Sequence, residues 1–342
     1  MQNVKLRSVP KPVEKSSTLN ALAEEKRLQK ILRAVDLESW FSSLERWTFR
    51  TVLVDLTVEE AKIFVDVFHH QRKNEGNASL AHLRDRIDAG IKQLGGRGVF
   101  AKLSSRSPKD SSFAEKKALE MTISSLLEVK KSTAHVSVND IYTAVVRASI
   151  CCLKCESASE VVETLQTSDR VCADDLPLAL SFASTSWSQH IVLREWVPIK
   201  PEFEFRAFVF AGKITGVSQY FSAIFFPSLM EQENKVRCLV DQLFKEVKHL
   251  IDLSDFVMDL MVDFESGKCL IIELNPFGKP DGLGTGTCLF HRESKEDMAV
   301  LFREGDNVEF ELRMVKSPPQ VDISTILREG PLKKFLENEK LI

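Results

Sequence analysis

The sequence predicts an α+β protein with two lobes and a cleft between them. The first half of the 342 residues is rich in helical patterns, and from His190 onward the alternation typical of strands replaces them. A chain of this length is sufficient for one large domain or two lobes. We therefore expect an N-terminal tail and helix (1–35), a helix-rich lobe (36–189) and a strand-rich lobe with an antiparallel sheet (190–342).

The composition excludes several classes of protein. Apolar residues make up 44% and charged residues 28% of the chain, which is typical of a soluble globular protein. The net charge of −3 gives no reason to expect a nucleic acid or an anionic membrane as a partner. The longest uncharged run, Ile214 to Met230, has 17 residues and is too short and too polar to cross a membrane. Because residues 1–18 lack the apolar core of a secretory signal, we expect a cytoplasmic protein.

The helix-rich lobe is read from helical spacing and its stop signals. Residues 1–17 are basic and non-periodic, so a disordered tail is expected there. A capping box at Thr57–Glu60 opens one helix, and Gly95-Gly96 ends another. Helices are predicted over Leu28–Val35, after Thr57, and over Leu80–Leu94, 113–130, 138–152 and 157–168. Strands are predicted over Arg50–Leu56 and Gly98–Leu103. The pattern breaks at 74–77, a polar loop is expected over Ser104–Ser112, and a less regular segment over Asp174–Pro177.

The strand-rich lobe is read from period-2 alternation. Strands are expected over 190–197, 204–210 and 213–220, and Ala211-Gly212 joins the last two. A helix around 230–251 precedes a β-hairpin. In that hairpin Phe256–Asp263 and Cys269–Asn275 alternate on either side of a Ser-Gly turn. The alternation of its second strand puts Leu270, Ile272 and Leu274 on one face, opposite Glu273 and Asn275.

The hairpin brings two carboxylates together. A loop of three residues (265–267) or five (264–268) sets Asp259 directly opposite Glu273, whereas a two-residue loop would mix the two faces. Like charges opposite each other destabilise a sheet, so we expect a positive group beside them. Mg²⁺ carrying a nucleotide is the candidate, since Mg²⁺ binds hard oxygen ligands together with phosphates. A solvated outer face with scattered acids is the alternative.

Two cationic residues lie on predicted strands. Lys102 follows Val99-Phe100-Ala101 and precedes the donor-rich loop, which suits a lysine that contacts phosphate while the loop covers it. The alternative is a lysine whose stem lies along the protein surface. Arg206 shares a strand face with Glu204, and an ion pair with a neighbouring glutamate is its structural explanation.

Known nucleotide motifs and metal motifs are absent from the sequence. It contains no GxxxxGK[ST], and the glycines at 282, 284 and 286 lack the strand–turn–helix spacing of a dinucleotide motif. A protein kinase is excluded by motif order, because His291-Arg292-Glu293 follows Asp263-Phe264-Glu265 instead of preceding it. Cys152 and Cys155 form a CxxC without a second pair, so buried thiols are favoured over a zinc site.

Taken together, four segments resemble the cell-division-cycle protein 123 (D123) family. They are GGRGVFAKLSSRSPKDSSF, IVLREWV, EFEFRAFVFAGKITGVSQY and FVMDLMVDFESGKCLIIELNPFG, in that order along the chain. The resemblance extends from about Trp40 to Phe290, and ELRMV at 311–315 extends it further. It implies a divergent ATP-grasp fold, with the nucleotide cleft between the two lobes.

The resemblance also implies a set of site residues, each with a role. Lys102 would contact the nucleotide phosphates, and the following loop would cover them. The strand from Arg194 to Val197 would be the hinge that reads adenine, and Arg206 would reach a phosphate. The remaining implied residues are Ser107 and Lys109 of the loop, Glu195 and Trp196 of the hinge, with Trp196 walling the base, and the Mg²⁺ ligands Asp259, Glu273 and Asn275.

The chain departs from the family pattern at several positions. Glu273 stands where the family usually has Asp, and Glu195 where it usually has a basic residue. Arg147 is the candidate for a lysine expected before the hinge. Residues 156–173 look inserted, and the acidic loop that usually precedes the Gly-Gly turn is missing.

The function implied by the resemblance is an ATP- and Mg²⁺-binding assembly chaperone for eukaryotic translation initiation factor 2. Its expected partner is the gamma subunit of that factor, and the protein itself is expected to be a monomer. The alternative is an ATP-grasp ligase that activates a carboxylate and releases ADP, with Arg206 stabilising the transferred charge. A scaffold that has lost its nucleotide is the third possibility.

Overall fold

The computed structural model describes residues 33–70, 80–133, 135–184, 187–278, 286–305, 309–321, 327 and 329–341. The predicted tail (1–17), the break at 74–77 and the glycines at 282 and 284 lie outside these ranges, as does most of the helix predicted over Leu28–Val35. Within the described ranges, no helix is both long and apolar enough to cross a bilayer.

The secondary structure follows the sequence pattern closely. The α-helices are α1 (Leu37–Leu44), α2 (Val58–His70), α3 (Ala81–Gln93), α4 (Ser112–Ser132), α5 (Val138–Cys151), α6 (Ala158–Gln166), α7 (Leu176–Ser181), α8 (Glu233–Val247), α9 (Lys295–Leu301) and α10 (Pro331–Asn338). The strands are β1 (Thr51–Asp55), β2 (Val99–Leu103), β3 (Lys154–Cys155), β4 (His190–Glu195), β5 (Glu204–Phe210), β6 (Lys213–Gln219), β7 (Phe256–Asp263), β8 (Lys268–Pro276) and β9 (Glu311–Arg313).

Local signals at the helix ends are confirmed. Thr57 and Glu60 bond reciprocally, as the capping box predicts: the Glu60 N–H donates to Thr57 Oγ1 over 3.2 Å and the Thr57 N–H to Glu60 Oε2 over 2.9 Å. Gly95 has a φ of +97° just after α3, a conformation that glycine adopts without strain. Cys152 and Cys155 are both buried, in agreement with the preference for buried thiols over a zinc site.

The first sheet has the order β1-β4-β2-β3, and all its pairs are antiparallel. Alternate residues of its strands point to opposite faces. One face, which includes Ala101 and Leu193, packs against α2, α3, α6 and α7 in a continuous apolar core. The opposite face, which includes Lys102 and Arg194, lies against the second sheet. The first sheet therefore presents its polar residues to the second.

Strand β4 occupies the centre of the first sheet, although it lies far along the chain. His190–Glu195 pairs with β1 on one side and β2 on the other. We predicted that the strand-rich lobe starts at residue 190, and the strand that starts there instead completes the sheet of the preceding half. Strand β4 therefore belongs to the first sheet. The boundary between two lobes at residue 190 stays a prediction.

The second sheet has the order β8-β7-β5-β6-β9 and is antiparallel except for the β6–β9 pair. Helices α8 and α1 cover its apolar face, which includes Phe205, Met258 and Leu260. Ala211 and Gly212, both with positive φ, form the predicted tight turn between β5 and β6. The structure is thus the mixed α and β protein with antiparallel sheets that the sequence predicts.

The β7–β8 hairpin has the predicted pairing of Asp259 with Glu273 but a different loop. Asp263 pairs with Lys268, so the loop has four residues (264–267), and neither the three-residue nor the five-residue prediction is correct. A four-residue loop alone would set Asp259 opposite Ile272. A bulge at Ile272 adds one residue to β8 and shifts the pairing to Glu273.

The bulge also changes which residues of β8 face the core. Leu260 pairs with Ile271 and Met258 with Leu274, and all four side chains are buried in the core. We predicted that Leu270 and Ile272 share the face of Leu274, and this is wrong because the bulge reverses the alternation. Leu270 pairs with Met261 on the other face.

The segment over 156–173, which looks like an insertion in the sequence, is part of the core. Helix α6 buries Val161, Val162 and Leu165 in the core beneath the first sheet. The next residues, Arg170–Asp175, form a π-helix that leads directly into α7. The less regular segment predicted over Asp174–Pro177 is therefore helical.

The C-terminal helix α10 returns to the first half of the chain. Its Leu336 is fully buried against Leu126 of α4 and Ile141 of α5. Lys130 of α4 donates to the Glu339 carboxylate over 2.7 Å just beyond the end of α10. The end of the chain thus packs on helices that the sequence assigns to the other lobe.

Candidate functional site

A cavity of about 320 Å³ lies between the two sheets. One part of its wall is apolar and includes Phe49, Phe100, Leu153, Trp196 and Ile272. The rest is polar and charged. Its charged and polar lining residues are Lys102, Ser107, Lys109, Ser149, Arg194, Glu195, Glu204, Tyr220 and Glu273. A cavity lined by apolar rings together with cationic side chains is suited to a ligand that combines a flat ring with anionic groups.

The strands explain why these side chains meet. Phe100 and Lys102 are two residues apart on β2, so both point to the face opposite the apolar core of that sheet. Arg194 of β4 pairs with Phe100 and therefore shares this face. Glu273 comes from β8 of the second sheet, where the bulge turns it toward the cavity.

Lys102 and Glu273 form an ion pair that joins the two sheets. Lys102 Nζ lies 3.2 Å from Glu273 Oε2, and the lysine is 4% exposed. Burial alone would raise the pKa of Glu273, but Lys102 and Lys109 outweigh it and hold that pKa well below its usual range. The alternative of a surface lysine is wrong for Lys102, because its ammonium group is buried at the cavity.

Arg206 and Asp259 form a second ion pair beside the cavity. They are direct neighbours on β5 and β7, and Arg206 donates from Nε and Nη2 to the two carboxylate oxygens over 2.7 Å each. Arg206 Nη1 also donates to the carbonyl oxygen of Gly286 over 2.7 Å. The sequence pattern predicted an ion pair with a glutamate for Arg206, and its partner is instead an aspartate on the adjacent strand. The phosphate contact that the family resemblance implies for Arg206 stays a prediction.

The positive group expected beside the two carboxylates is thus supplied by the protein itself. Asn275, the third residue of the expected metal site, places Nδ2 3.1 Å from Asp259 Oδ2 and 3.5 Å from Glu273 Oε1. Within the part of the chain that the structure describes, no cluster of three or more His, Cys, Asp or Glu side chains is arranged to hold a metal unaided. Two carboxylates and an amide on one sheet face still fit a Mg²⁺ ion that brings phosphate and water ligands with it.

The loop after β2 closes one side of the cavity. Ser107 is 5% exposed and lies on the cavity wall. Lys109 reaches across to the second sheet, where its Nζ lies 3.4 Å from the Tyr220 hydroxyl and 5.4 Å above the ring. The guanidinium of Arg206 lies 4.9 Å from the same ring, so two cations flank Tyr220.

The predicted hinge residues, Arg194 to Val197, all lie on the cavity wall. The Trp196 N–H donates to the carbonyl oxygen of Gly98 over 3.2 Å, and Glu195 Oε1 accepts from the Arg50 N–H over 3.2 Å. Arg147, the candidate for the expected lysine, instead lies 3.9 Å from Glu202 with its side chain 57% exposed.

Sequence reasoning missed several residues of the site. Glu204 is buried at the cavity, and its shared face with Arg206 was visible as a two-residue spacing on one strand. Burial raises the pKa of Glu204 to about 7, the carboxylates of Asp259 and Glu273 add to the rise, and Lys109 opposes it. Phe49 and Tyr220 also line the cavity, but no local sequence pattern indicates this, because the other lining residues lie far from them in the chain.

Comparison with known proteins places the chain among a defined set of relatives. The family model D123 matches residues 143–329, which includes the ELRMV segment and extends beyond Phe290. A protein of Xenopus laevis named translation initiation factor eIF2 assembly protein is 30% identical over 138 residues, or 37% of this chain and 39% of that protein. The chain thus matches about two fifths of the length of the frog relative.

A longer match and a solved structure extend the comparison. A Candida albicans protein of the same name is 26% identical over 273 residues, covering 76% of this chain and 68% of that protein. The structure of Cdc123 from Schizosaccharomyces pombe superimposes with a TM-score of 0.57 at 22% identity, covering 84% of this chain and 98% of that one. This structural likeness shows a shared fold.

Proposed function

This chain belongs to the D123 family, and we propose that it is an ATP- and Mg²⁺-binding assembly chaperone for translation initiation factor 2. The observation that carries the proposal is the cavity between the sheets, where Lys102 of one sheet meets Glu273 of the other. The names of the frog and Candida relatives, which describe them as assembly proteins for that factor, supply the partner.

The chemistry of the cavity lining suits both parts of ATP. Apolar side chains are available for the base, and cationic side chains for the phosphates. The apolar wall formed by Phe100, Leu153 and Trp196 suits an adenine ring. Lys102 and Lys109 suit the phosphates, since ammonium groups on a strand and on a loop act as charge partners for them. Mg²⁺, held by Asp259, Glu273 and Asn275, would neutralise phosphate charge when bound.

We infer that the arrangement is of the ATP-grasp type, with the nucleotide held between two antiparallel sheets. The support for this inference is that residues of both sheets line the cavity and bond across it. A nucleotide there would add contacts to each sheet and so hold their relative position. The surface that binds the initiation factor, with the gamma subunit as the proposed partner, would then be held in one shape.

Isothermal titration with ATP, ADP and AMP, with and without Mg²⁺, tests the nucleotide site. We expect ATP to bind more tightly with Mg²⁺ and Glu273→Gln to remove that increment, because the substitution removes the carboxylate charge without changing its size. Glu163→Gln on the exposed face of α6 is the matched control and should bind as wild type does. Equal affinities for ATP in wild type and Glu273→Gln at saturating Mg²⁺ would refute the site.

Affinity capture from lysate tests the partner separately. The immobilised protein with Mg²⁺ and ATP should retain the gamma subunit of the initiation factor. Binding of ATP without capture of that subunit would refute the chaperone role and leave the nucleotide site standing.

The ligase alternative is weakened by Arg206. A ligase would use such an arginine to stabilise transferred charge, yet both of its forked donors bond Asp259. The chaperone is therefore the proposal we favour. ADP release that depends on an added carboxylate and amine would overturn this preference.

A further inference from the structure

The side chain of Arg194 connects the first sheet to the bulge of the second. It leaves β4, and its Nη1 donates to the carbonyl oxygen of Ile272, the bulged residue of β8. Its Nη2 donates to Thr48 Oγ1, which in turn donates to the carbonyl oxygen of Ile271 over 2.7 Å. One guanidinium thus holds two consecutive carbonyl groups of β8, that of Ile272 directly and that of Ile271 through the Thr48 hydroxyl.

These bonds act at the position where β8 changes register. The bulge at Ile272 is the feature that sets Glu273 opposite Asp259 and turns it toward Lys102. Without the bulge, the four-residue loop would place Ile272 in that position, and Glu273 would point to the other face. The direction of Glu273 therefore depends on the conformation of the residue before it.

Burying Arg194 in this position opposes folding. The residue is 4% exposed, and its guanidinium packs 4.9 Å from the ring of Phe49. Its Nε has no hydrogen-bond partner within the described part of the chain. A buried charge with an unsatisfied donor costs stability, and an apolar side chain of similar length would avoid that cost. Stability alone therefore does not explain the residue, whereas its bonds to β8 do.

We propose that Arg194 is a positioning residue whose side chain holds the bulge at Ile272 and thereby keeps Glu273 directed at Lys102 and available to the proposed Mg²⁺. Its role differs from that of the hinge backbone, which was assigned to the base. The ligand part of the proposal rests on the proposed function, and the part about Glu273 applies to the protein without any ligand.

The first test uses the ligand-free protein and compares free energies of unfolding in a double-mutant cycle. Glu273→Gln is measured in wild type and in an Arg194→Met background. If Arg194 directs Glu273 at Lys102, the cost of Glu273→Gln should fall by roughly half or more in the Arg194→Met background, although the two side chains are not hydrogen-bonded to each other. Additive effects would overturn the proposal.

The second test uses nucleotide titrations and separates positioning from general damage to the fold. Arg194→Met should lower the affinity for ATP with Mg²⁺ about tenfold, while the affinity for AMP changes by less than about threefold. Equal loss for ATP and AMP, or no loss for either, would contradict the proposal. Arg46→Met, the same change at an exposed arginine, is the control and should leave both affinities unchanged.

A third variant covers the case in which Arg194→Met does not fold. Arg194→Lys keeps the charge but loses the planar fork that reaches Ile272 and Thr48 together. It should show the same selective loss of ATP affinity, to a smaller extent, and wild-type behaviour in both titrations would overturn the proposal. If wild type itself binds no nucleotide, the proposed function fails, and the double-mutant cycle alone decides the role of Arg194.

Discussion

Four buried charged side chains at and beside the cavity form two ion pairs with different geometry. Lys102 and Glu273 come from different sheets, and Glu273 keeps 21% of its side chain exposed toward the cavity. Arg206 and Asp259 are neighbours in one sheet and are almost fully buried. Since only Lys102 and Glu273 line the cavity, the two pairs should respond differently to substitution.

Lys102→Met should weaken ATP binding about tenfold or more and AMP binding much less, because we propose that Lys102 contacts the phosphates and AMP has only one of them. The measurement is titration calorimetry with both nucleotides in the presence of Mg²⁺. Lys116→Met, on the exposed face of α4, is the control. A parallel loss of ATP and AMP affinity would contradict the phosphate assignment.

Asp259→Ala should destabilise the fold by about 3–5 kcal/mol, because it leaves the Arg206 guanidinium buried without its partner. As a Mg²⁺ ligand alone, Asp259 would be replaceable with the fold intact. Its burial at 1% exposure and the two 2.7 Å bonds to Arg206 argue against an intact fold. Denaturant unfolding measures the cost, and a loss below 1 kcal/mol would show that Arg206 finds another partner.

Glu204 should make stability depend on pH. Its pKa is about 7 in the folded protein against an ordinary value of 4.5, with burial as the main cause. Between these pH values the folded protein binds more protons than the unfolded chain, so the contribution of Glu204 to stability falls as the pH rises. Glu204→Gln removes this pH-dependent loss of stability. The free energy of unfolding of the variant minus that of wild type should therefore increase by roughly 2–3 kcal/mol between pH 5 and pH 8.

The control for this pH effect is Glu163→Gln, a change at an exposed carboxylate. Its unfolding free energy relative to wild type should be the same at pH 5 and pH 8. A Glu204→Gln difference that does not change between the two pH values would show that Glu204 titrates normally in the folded state.

At the scale of elements, the hairpin shows what a sequence pattern can and cannot predict. The pairing of Asp259 with Glu273 followed from keeping polar residues on one face, and it is confirmed. The loop length could not be predicted. Ile271 and Ile272 are both apolar, so alternation does not reveal which of them is the extra residue of a bulge.

Helix α6 was correctly predicted from its apolar spacing, although its segment differs from the family pattern. Comparison with the family pattern made residues 156–173 look inserted, whereas their apolar spacing already indicated a helix with one buried face. The spacing of Val161, Val162 and Leu165 was the better guide, and all three are fully buried or nearly so. A segment that is additional in sequence is therefore not necessarily peripheral in structure.

Leu165→Ala should lower the free energy of unfolding by about 2–5 kcal/mol, since it opens a cavity in the core beneath the first sheet. Glu163→Ala on the exposed face of the same helix should change it by less than about 0.5 kcal/mol. Chemical denaturation of both variants makes the comparison. Similar small effects would mean that α6 is not an integral part of the core.

At the scale of the whole molecule, the two lobes predicted from the sequence correspond only loosely to the two sheets. Local patterns correctly placed seven of the nine strands in the described part of the chain, including β4, but not the short strands β3 and β9. They could not show that β4 pairs with β1 and β2, because sheet partners far apart in the chain leave no local signal. The same limit applies to Phe49 and Tyr220 at the cavity.

Leu336→Ala should destabilise the protein by about 2–5 kcal/mol, although it lies only a few residues from the end of the chain. Leu336 is fully buried between α10 and the helices α4 and α5. Amide hydrogen exchange should become faster across α4 and α5 as well as in α10. Lys334→Ala at an exposed position of α10 is the control, and exchange that changes in α10 alone would show that the helix contributes nothing to α4 and α5.

The central position of β4 has a consequence for synthesis of the protein. A ribosome releases β1 and β2 long before His190–Glu195 emerges, and until then these two strands lack the neighbour that lies between them. Their unpaired edges are available to other chains during that interval. The nascent first half is therefore the stage at which aggregation competes with folding, and chaperones that bind exposed strands would act on it before the cavity between the sheets exists.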